Sequence, residues 1–282
     1  MCAMRIWDTH FHFYGEAAPP EFMAALGDDL GLLREHLPVP PEELEFRLLS
    51  AGADYVESLR AMEFANVVEN AFFSCGVHPH QADGFLAKPE DFSVFRQEKK
   101  LLAIGEIGLD YYYEGASRAA QIEVFDRFLQ MALQWKLPAM LHLRDKAPRR
   151  DAYKDALELL TPFARQGGRF VVHCCTAAPD DVAAMLELGA MIGVTGIITF
   201  RGADDVREML KIVPDERILI ETDSPYLAPV PFRGRVNTPA MVTLAALKLA
   251  EQRQRSFAEM VAQTTANAEN FYLPSKQESE AK

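Results

Sequence analysis

Apolar residues fall into short dense runs, separated by longer stretches in which they recur every three or four positions. The dense runs are Arg5–His10, Phe46–Ala51, Ala71–Val77, Leu101–Glu106, Pro138–His142, Arg169–His173, Ala190–Gly196 and Arg217–Thr222. Several lack polar alternation, as expected of strands covered on both faces. The intervening stretches carry helical stripes: Ile122, Phe125, Leu129, Ala132 and Leu133 form one, and Val206, Met209, Leu210 and Val213 another. Thr238 before Pro239 reads as a helix N-cap, and Ser256–Glu259 as a capping box. Eight strands alternating with helices predict a single-domain α/β fold, a parallel TIM (β/α)8 barrel over residues 4–272. The polar stretch 273–282 reads as a disordered tail. The first connection, Phe13–Glu45, is longer than a tight link needs, and its prolines predict a helix plus a loop over the barrel mouth. No internal repeat is evident.

The polar residues at the strand ends change the picture. In "RIWDTHFHF" (Arg5–Phe13), His10 and His12 are two apart, so both point to one side and Phe11 to the other. A pair of neutral imidazoles so placed either packs as solvated polar groups or binds a metal. Of seven histidines, only His36 reads as surface; the other six, His10, His12, His78, His80, His142 and His173, fall at or just past predicted strand ends. Glu106 ends the fourth strand and Asp223 the eighth. Active sites of such barrels lie at the C-terminal ends of the strands, so these groups are expected at one mouth.

Ligand counting gives His10, His12 and Asp223 for one divalent ion and His142 and His173 for a second, with Glu106 bridging through its two oxygens. Each ion keeps open positions for water, the catalytic pattern. Two such ions roughly 3.5–4 Å apart clamp the attacking and leaving oxygens of a displacement and activate water at neutral pH. Imidazole-rich ligation suits Zn, Ni or Mn, and the carboxylates also admit Mg. Asp8 is expected to accept a hydrogen bond beneath the site, and Asp110 and Glu221 to support it rather than react. Tyr111–Tyr113 either stack on bases or wall a loop.

Composition narrows the partners. With 282 residues, 49% hydrophobic and 25% charged, the chain can bury a large core. Its apolar runs are too short to span a membrane, and "MCAMRIWD" does not read as a secretory signal. The four cysteines, Cys2, Cys75, Cys174 and Cys175, form neither a CxxC pair nor a disulfide framework, so the cytoplasm is the expected compartment. A net charge of −12 opposes binding to long duplex DNA. The local basic cluster Arg144, Lys146, Arg149 and Arg150 is either a solvated loop or a phosphate-steering one.

With the stretches "DTHFH", "GVHPH", "GEIGLDYY", "LHLR", "HCCTA", "GVTGIITF", "ETDSPYLAPVPFRG" and "NTPA" in view, the chain closely resembles the TatD family of metal-dependent hydrolases from Arg5 to about Phe271. The resemblance implies a TIM barrel with an amidohydrolase-like two-metal site held by His10, His12, Glu106, His142, His173 and Asp223. It further implies that His78 and Arg144 meet substrate phosphate. The chain departs from the family pattern at Cys175–Ala177, at Ala147 and at Asn270, none of them a ligand position. The expected activity is a phosphodiesterase or deoxyribonuclease on single-stranded or end-exposed nucleic acid, with Glu106 and Asp223 catalytic and no stable protein partner. The alternatives are a barrel hydrolase for an amide, lactone or aminoacyl ester, and a non-catalytic metal-binding protein. Glu106 stands where barrel relatives acting on non-nucleic substrates often carry lysine, which favours the nuclease.

Overall fold

A computed structural model describes residues 3–146 and 148–273. Ala147, Cys2 and the tail 274–282 lie outside the described residues. Eight strands pair in parallel in strict chain order: β1 (Met4–Phe11), β2 (Leu44–Ser50), β3 (Ala71–Cys75), β4 (Leu101–Asp110), β5 (Ala139–Arg144), β6 (Phe170–Val172), β7 (Met191–Val194) and β8 (Ile218–Ile220). The barrel closes just past β8, where Asp223 N donates to His10 O (2.9 Å) and His12 N to Ser224 O (2.8 Å). The helices are α1 (Pro19–Leu33), α2 (Tyr55–Val67), α3 (Ala82–Ala87), α4 (Arg118–Trp135), α5 (Asp151–Arg165), α6 (Pro179–Glu187), α7 (Asp204–Leu210), α8 (Val242–Arg253) and α9 (Phe257–Tyr272). None of them is long and apolar enough to cross a membrane.

Strand β1 changes register against β2 between Asp8 and Phe11, which puts Trp7 and Phe11, four residues apart, on opposite sides of the barrel wall. Phe11 points out, packing on Phe22 of α1 (5.8 Å) and Phe64 of α2 (5.4 Å). Trp7 points in and is 1% exposed. Around it Leu49, Leu102, Met140, Val171, Met191 and Leu219 fill the interior. Helix α9, started by the Ser256–Glu259 capping box, packs Phe271 and Tyr272 into this same cluster, with Tyr272 stacked on Trp7 at 6.2 Å. With the N-terminal end plugged by aromatics, the C-terminal end is where polar groups gather.

Two elements depart from the sequence reading, and the first connection holds the helix expected of it. Strand β4 runs four residues past Glu106, to Asp110, with a register shift against β5 between Ile104 and Ile107. Gly108 permits this: its φ is 143°, and a Cβ there would lie 2.0 Å from His142 O. The stripe of α4 is rotated, with Val124 and Phe128 fully buried and Ile122 and Leu133 half-buried, because Phe128 packs on Phe85 and Phe92. The Phe13–Glu45 connection folds into α1 and two short 3-10 turns, with Leu26 and Leu33 buried against the barrel wall. Thr238 does start the 3-10 turn Pro239–Met241, but without a side-chain cap bond.

Candidate metal centre

Glu106 sits on the floor of the mouth, 3% exposed. Its two oxygens face different histidines. Oε2 lies 3.8 Å from His10 Nε2 and 3.7 Å from His12 Nε2, while Oε1 lies 2.7 Å from His142 Nδ1 and 3.5 Å from His173 Nε2. Asp223 Oδ1 stands 3.7, 3.5 and 3.8 Å from the Nε2 atoms of His10, His12 and His173. The six side chains singled out as ligands therefore meet in one cluster. The donors group as three overlapping triplets: His10–His12–Glu106, His10–His173–Asp223 and His78–Glu106–His142. His173 is shared between the two sides, its ring stacked on His10 at 3.6 Å, rather than paired with His142 alone.

Most of these donors are held from behind. His173 Nδ1 meets Glu221 Oε1 at 3.0 Å, and Gly193 makes room for that carboxylate, since a Cβ would lie 2.5 Å from Oε1. Asp8, fully buried, accepts from Thr222 N (2.8 Å) and Thr222 Oγ1 (2.5 Å), locking the turn that carries Asp223. Burial pushes the Asp8 carboxyl well up. His10 Nδ1 lies 3.0 Å from Met140 Sδ, and His12 Nδ1 lies 3.8 Å from Glu57 Oε2 of α2. Asp110, reached only because β4 is extended, contacts His142 Nε2 at 3.2 Å and His80 Nε2 at 3.0 Å. Sequence reasoning gave no role to Glu57, Tyr14 or Tyr226. Continuing the β1 alternation from His10 and His12 would have reached Tyr14, which stacks on His12 at 5.6 Å. Glu57 carries no signal, because nothing in an amphipathic pattern says which helical turn overlooks a barrel mouth.

This donor set fits divalent cations. Ligands about 2.1 Å from a common ion stand about 3–3.5 Å apart, close to the separations here. Buried imidazoles and carboxylates at such density are costly unless a cation neutralises them. Burial, aided by His173, lowers His10 well below the usual imidazole range, leaving it neutral. Burial opposes ionisation of Glu106, yet the hydrogen bond and charge of His142 hold it well below the usual carboxylate range. Against burial, Asp110 and Glu106 raise His142 to about 9, and Glu221 and Asp223 raise His173 to about 10. Both carry a proton at pH 7, and a cation must displace it. Against burial, Asp223 and Glu106 push His12 up as well. Metal loading at neutral pH is therefore expected to release protons, and affinity should climb as pH rises towards 9. Calorimetric titration in two buffers of different ionisation enthalpy measures this; pH-independent affinity between 7 and 9 would contradict it.

His78 follows β3. Burial brings it down to about 3, so it is neutral; its Nδ1 accepts from His80 N at 3.2 Å, and its ring lies 4.4 Å from that of His142. Arg144 is exposed at the end of β5, its guanidinium 4.5 Å from the Tyr112 ring and 5.0 Å from Tyr113. The two groups line the same cavity of about 640 Å³ as His12, Glu106, His142, His173 and Asp223. Of the basic cluster, Arg150 is tied down by Asp181 at 2.6 and 2.7 Å.

A parallel eight-stranded barrel with this cage at its C-terminal mouth is the framework of a metal-dependent hydrolase. The profile of TatD related DNase matches residues 8–273, and the chain belongs to that family. It is 38% identical over 200 residues to the metal-dependent hydrolase YcfH of Escherichia coli K12, covering 71% of this chain and 72% of the relative. It is 32% identical to the 3'-5' ssDNA/RNA exonuclease TatD of Klebsiella pneumoniae, covering 80% and 86%. In fold it matches the crystal structure of the TatD homologue YjjV of Escherichia coli K12, with a TM-score of 0.78 and 24% identity over 95% of this chain and 98% of that one.

Proposed function

We propose that the protein is a phosphodiesterase acting on single-stranded or end-exposed nucleic acid, with two divalent cations (Mg, Mn, Zn or Ni) held by His10, His12, Glu106, His142, His173 and Asp223. The carrying observation is Glu106, whose two oxygens divide between the His10–His12 side and the His142–His173 side of one cage. Cations bound there would activate water and screen the charge developing on phosphorus. Asp223 orients the attacking water and accepts its proton, since its side chain is 16% exposed towards the mouth while that of Glu106 is 4%. His78 and Arg144 steady the phosphate from the rim. Tyr112 and Tyr113, 42% and 51% exposed beside Arg144, offer bases a stacking surface. The relative named a 3'-5' ssDNA/RNA exonuclease supports the substrate class. Cys75, Cys174 and Cys175, all free, suit a reducing cytoplasm.

The test is hydrolysis of a single-stranded oligonucleotide, abolished by EDTA and restored by Mg or Mn, beside an amide, a lactone and an aminoacyl ester. Faster turnover of a carbonyl substrate would overturn the nuclease reading. Binding to long duplex at about 150 mM salt is expected to be weak, because the net charge is −12.

His78→Ala and Arg144→Ala are each expected to lower kcat/KM about tenfold or more while leaving bound metal, read by elemental analysis, unchanged. The His78 arm is the sharper one, because His78 lies within ligand reach of Glu106 and His142. Loss of an ion from His78→Ala would make it a ligand instead.

A further inference from the structure

A second cavity, of about 260 Å³, opens between the start of α1 and the chain segment 224–239. His12 and Tyr14 line both this cavity and the main mouth, so it is a side room of the same site. Tyr14 stands at the junction, its ring parallel to His12 and its hydroxyl 3.0 Å from that of Tyr226. The walls are largely apolar: Phe13 and Phe22, edge to face at 5.5 Å, with Leu26, Pro225 and Pro239. Asp29 and Thr238 add polar groups; burial pushes the Asp29 carboxyl up, and the Thr238 hydroxyl opposes the rise. Among the described residues no Lys or Arg lines this cavity, while Glu16 and Asp29 do.

These features select the occupant. An anionic group is repelled by the two carboxylates and finds no cation. A purely apolar one makes no use of the Asp29 carboxylate in the wall. A flat neutral ring with N–H groups on its edge satisfies both, and it must be attached to whatever the cage holds, because the room opens at His12. We propose that this cavity is a base-binding subsite, taking the nucleobase next to the phosphodiester under attack, with Asp29 accepting from its ring or exocyclic N–H. The inference rests on the phosphodiesterase reading. It also accounts for the length of the Phe13–Glu45 connection, since α1 within it builds one wall of a specificity pocket.

The test compares single-stranded oligonucleotides that carry either bases or tetrahydrofuran abasic residues around the cleaved bond. Wild type is expected to favour the base-bearing substrate about tenfold or more in kcat/KM, chiefly through KM. Ala25 lies on α1 with an exposed side chain that lines the cavity, so Ala25→Trp fills it without disturbing the core. This variant is expected to retain its metal and to cut the ratio severalfold, leaving only what stacking on Tyr112 and Tyr113 contributes. Equal use of both substrates by wild type, or an unchanged preference in Ala25→Trp, overturns the subsite and leaves the phosphodiesterase standing. No hydrolysis of either substrate by metal-loaded wild type overturns both.

Discussion

Glu106→Gln is expected to weaken metal binding by about 10²-fold or more, since even outer partners of a ligand are worth 10–100-fold. The side chain keeps its length and one carbonyl oxygen, but the other oxygen becomes an amide nitrogen that cannot ligate. Because Oε1 and Oε2 serve opposite sides of the cage, either orientation of the amide leaves one side without its carboxylate. The protonation of the cage should change as well. Glu106 is one of the groups raising His142 to about 9 and His173 to about 10, so its neutral replacement lets both fall. The variant should therefore release fewer protons on loading than wild type, as well as binding more weakly. Calorimetry reads both quantities without turnover. Wild-type affinity together with wild-type proton release would show that Glu106 is not the shared ligand.

That prediction rests on residues legible in the sequence, and the reason is geometric. In a parallel barrel all strands end at one mouth, so a histidine or carboxylate that terminates an apolar run is assigned to that mouth by the strand pattern alone. His10, His12, Glu106, His142, His173 and Asp223 all terminate such runs or follow them within a few residues, and they meet. What was not legible depends on backbone that leaves the regular pattern. Asp110 was expected to support the site, but not that Gly108 would let β4 run on beside β5 to bring it to His142 and His80. Strands β6 and β8 stop at Val172 and Ile220, short of their apolar runs, and Cys174 and Asp223 just beyond them adopt left-handed φ of 45° and 56°. The grouping of donors was hidden for a related reason. Ligand counting gave each histidine to one ion, whereas the stacking of His173 on His10 brings it within reach of both carboxylates. The wall built by α1 was hidden because packing of a long connection is decided by tertiary contacts such as Phe22 on Phe11 and Phe13, not by periodicity.

Asp223→Asn separates ligation from proton transfer. Asparagine is among the residues best suited to the left-handed φ of 56° at this position, so the turn should survive. The Asp223 backbone N–H to His10 O, at 2.9 Å, is likewise untouched. Asn Oδ1 can still face His10, His12 and His173, so metal affinity should fall only moderately. The second carboxylate oxygen is lost, and with it the basic site facing the mouth. Turnover should fall by roughly 10²–10⁴-fold, as for removal of a general base. The comparison belongs at saturating metal, with occupancy confirmed by elemental analysis, so that an empty cage does not pass for slow chemistry. Near-full turnover of the metal-saturated variant would reduce Asp223 to a ligand. The proton acceptor would then be Glu106 or a second water.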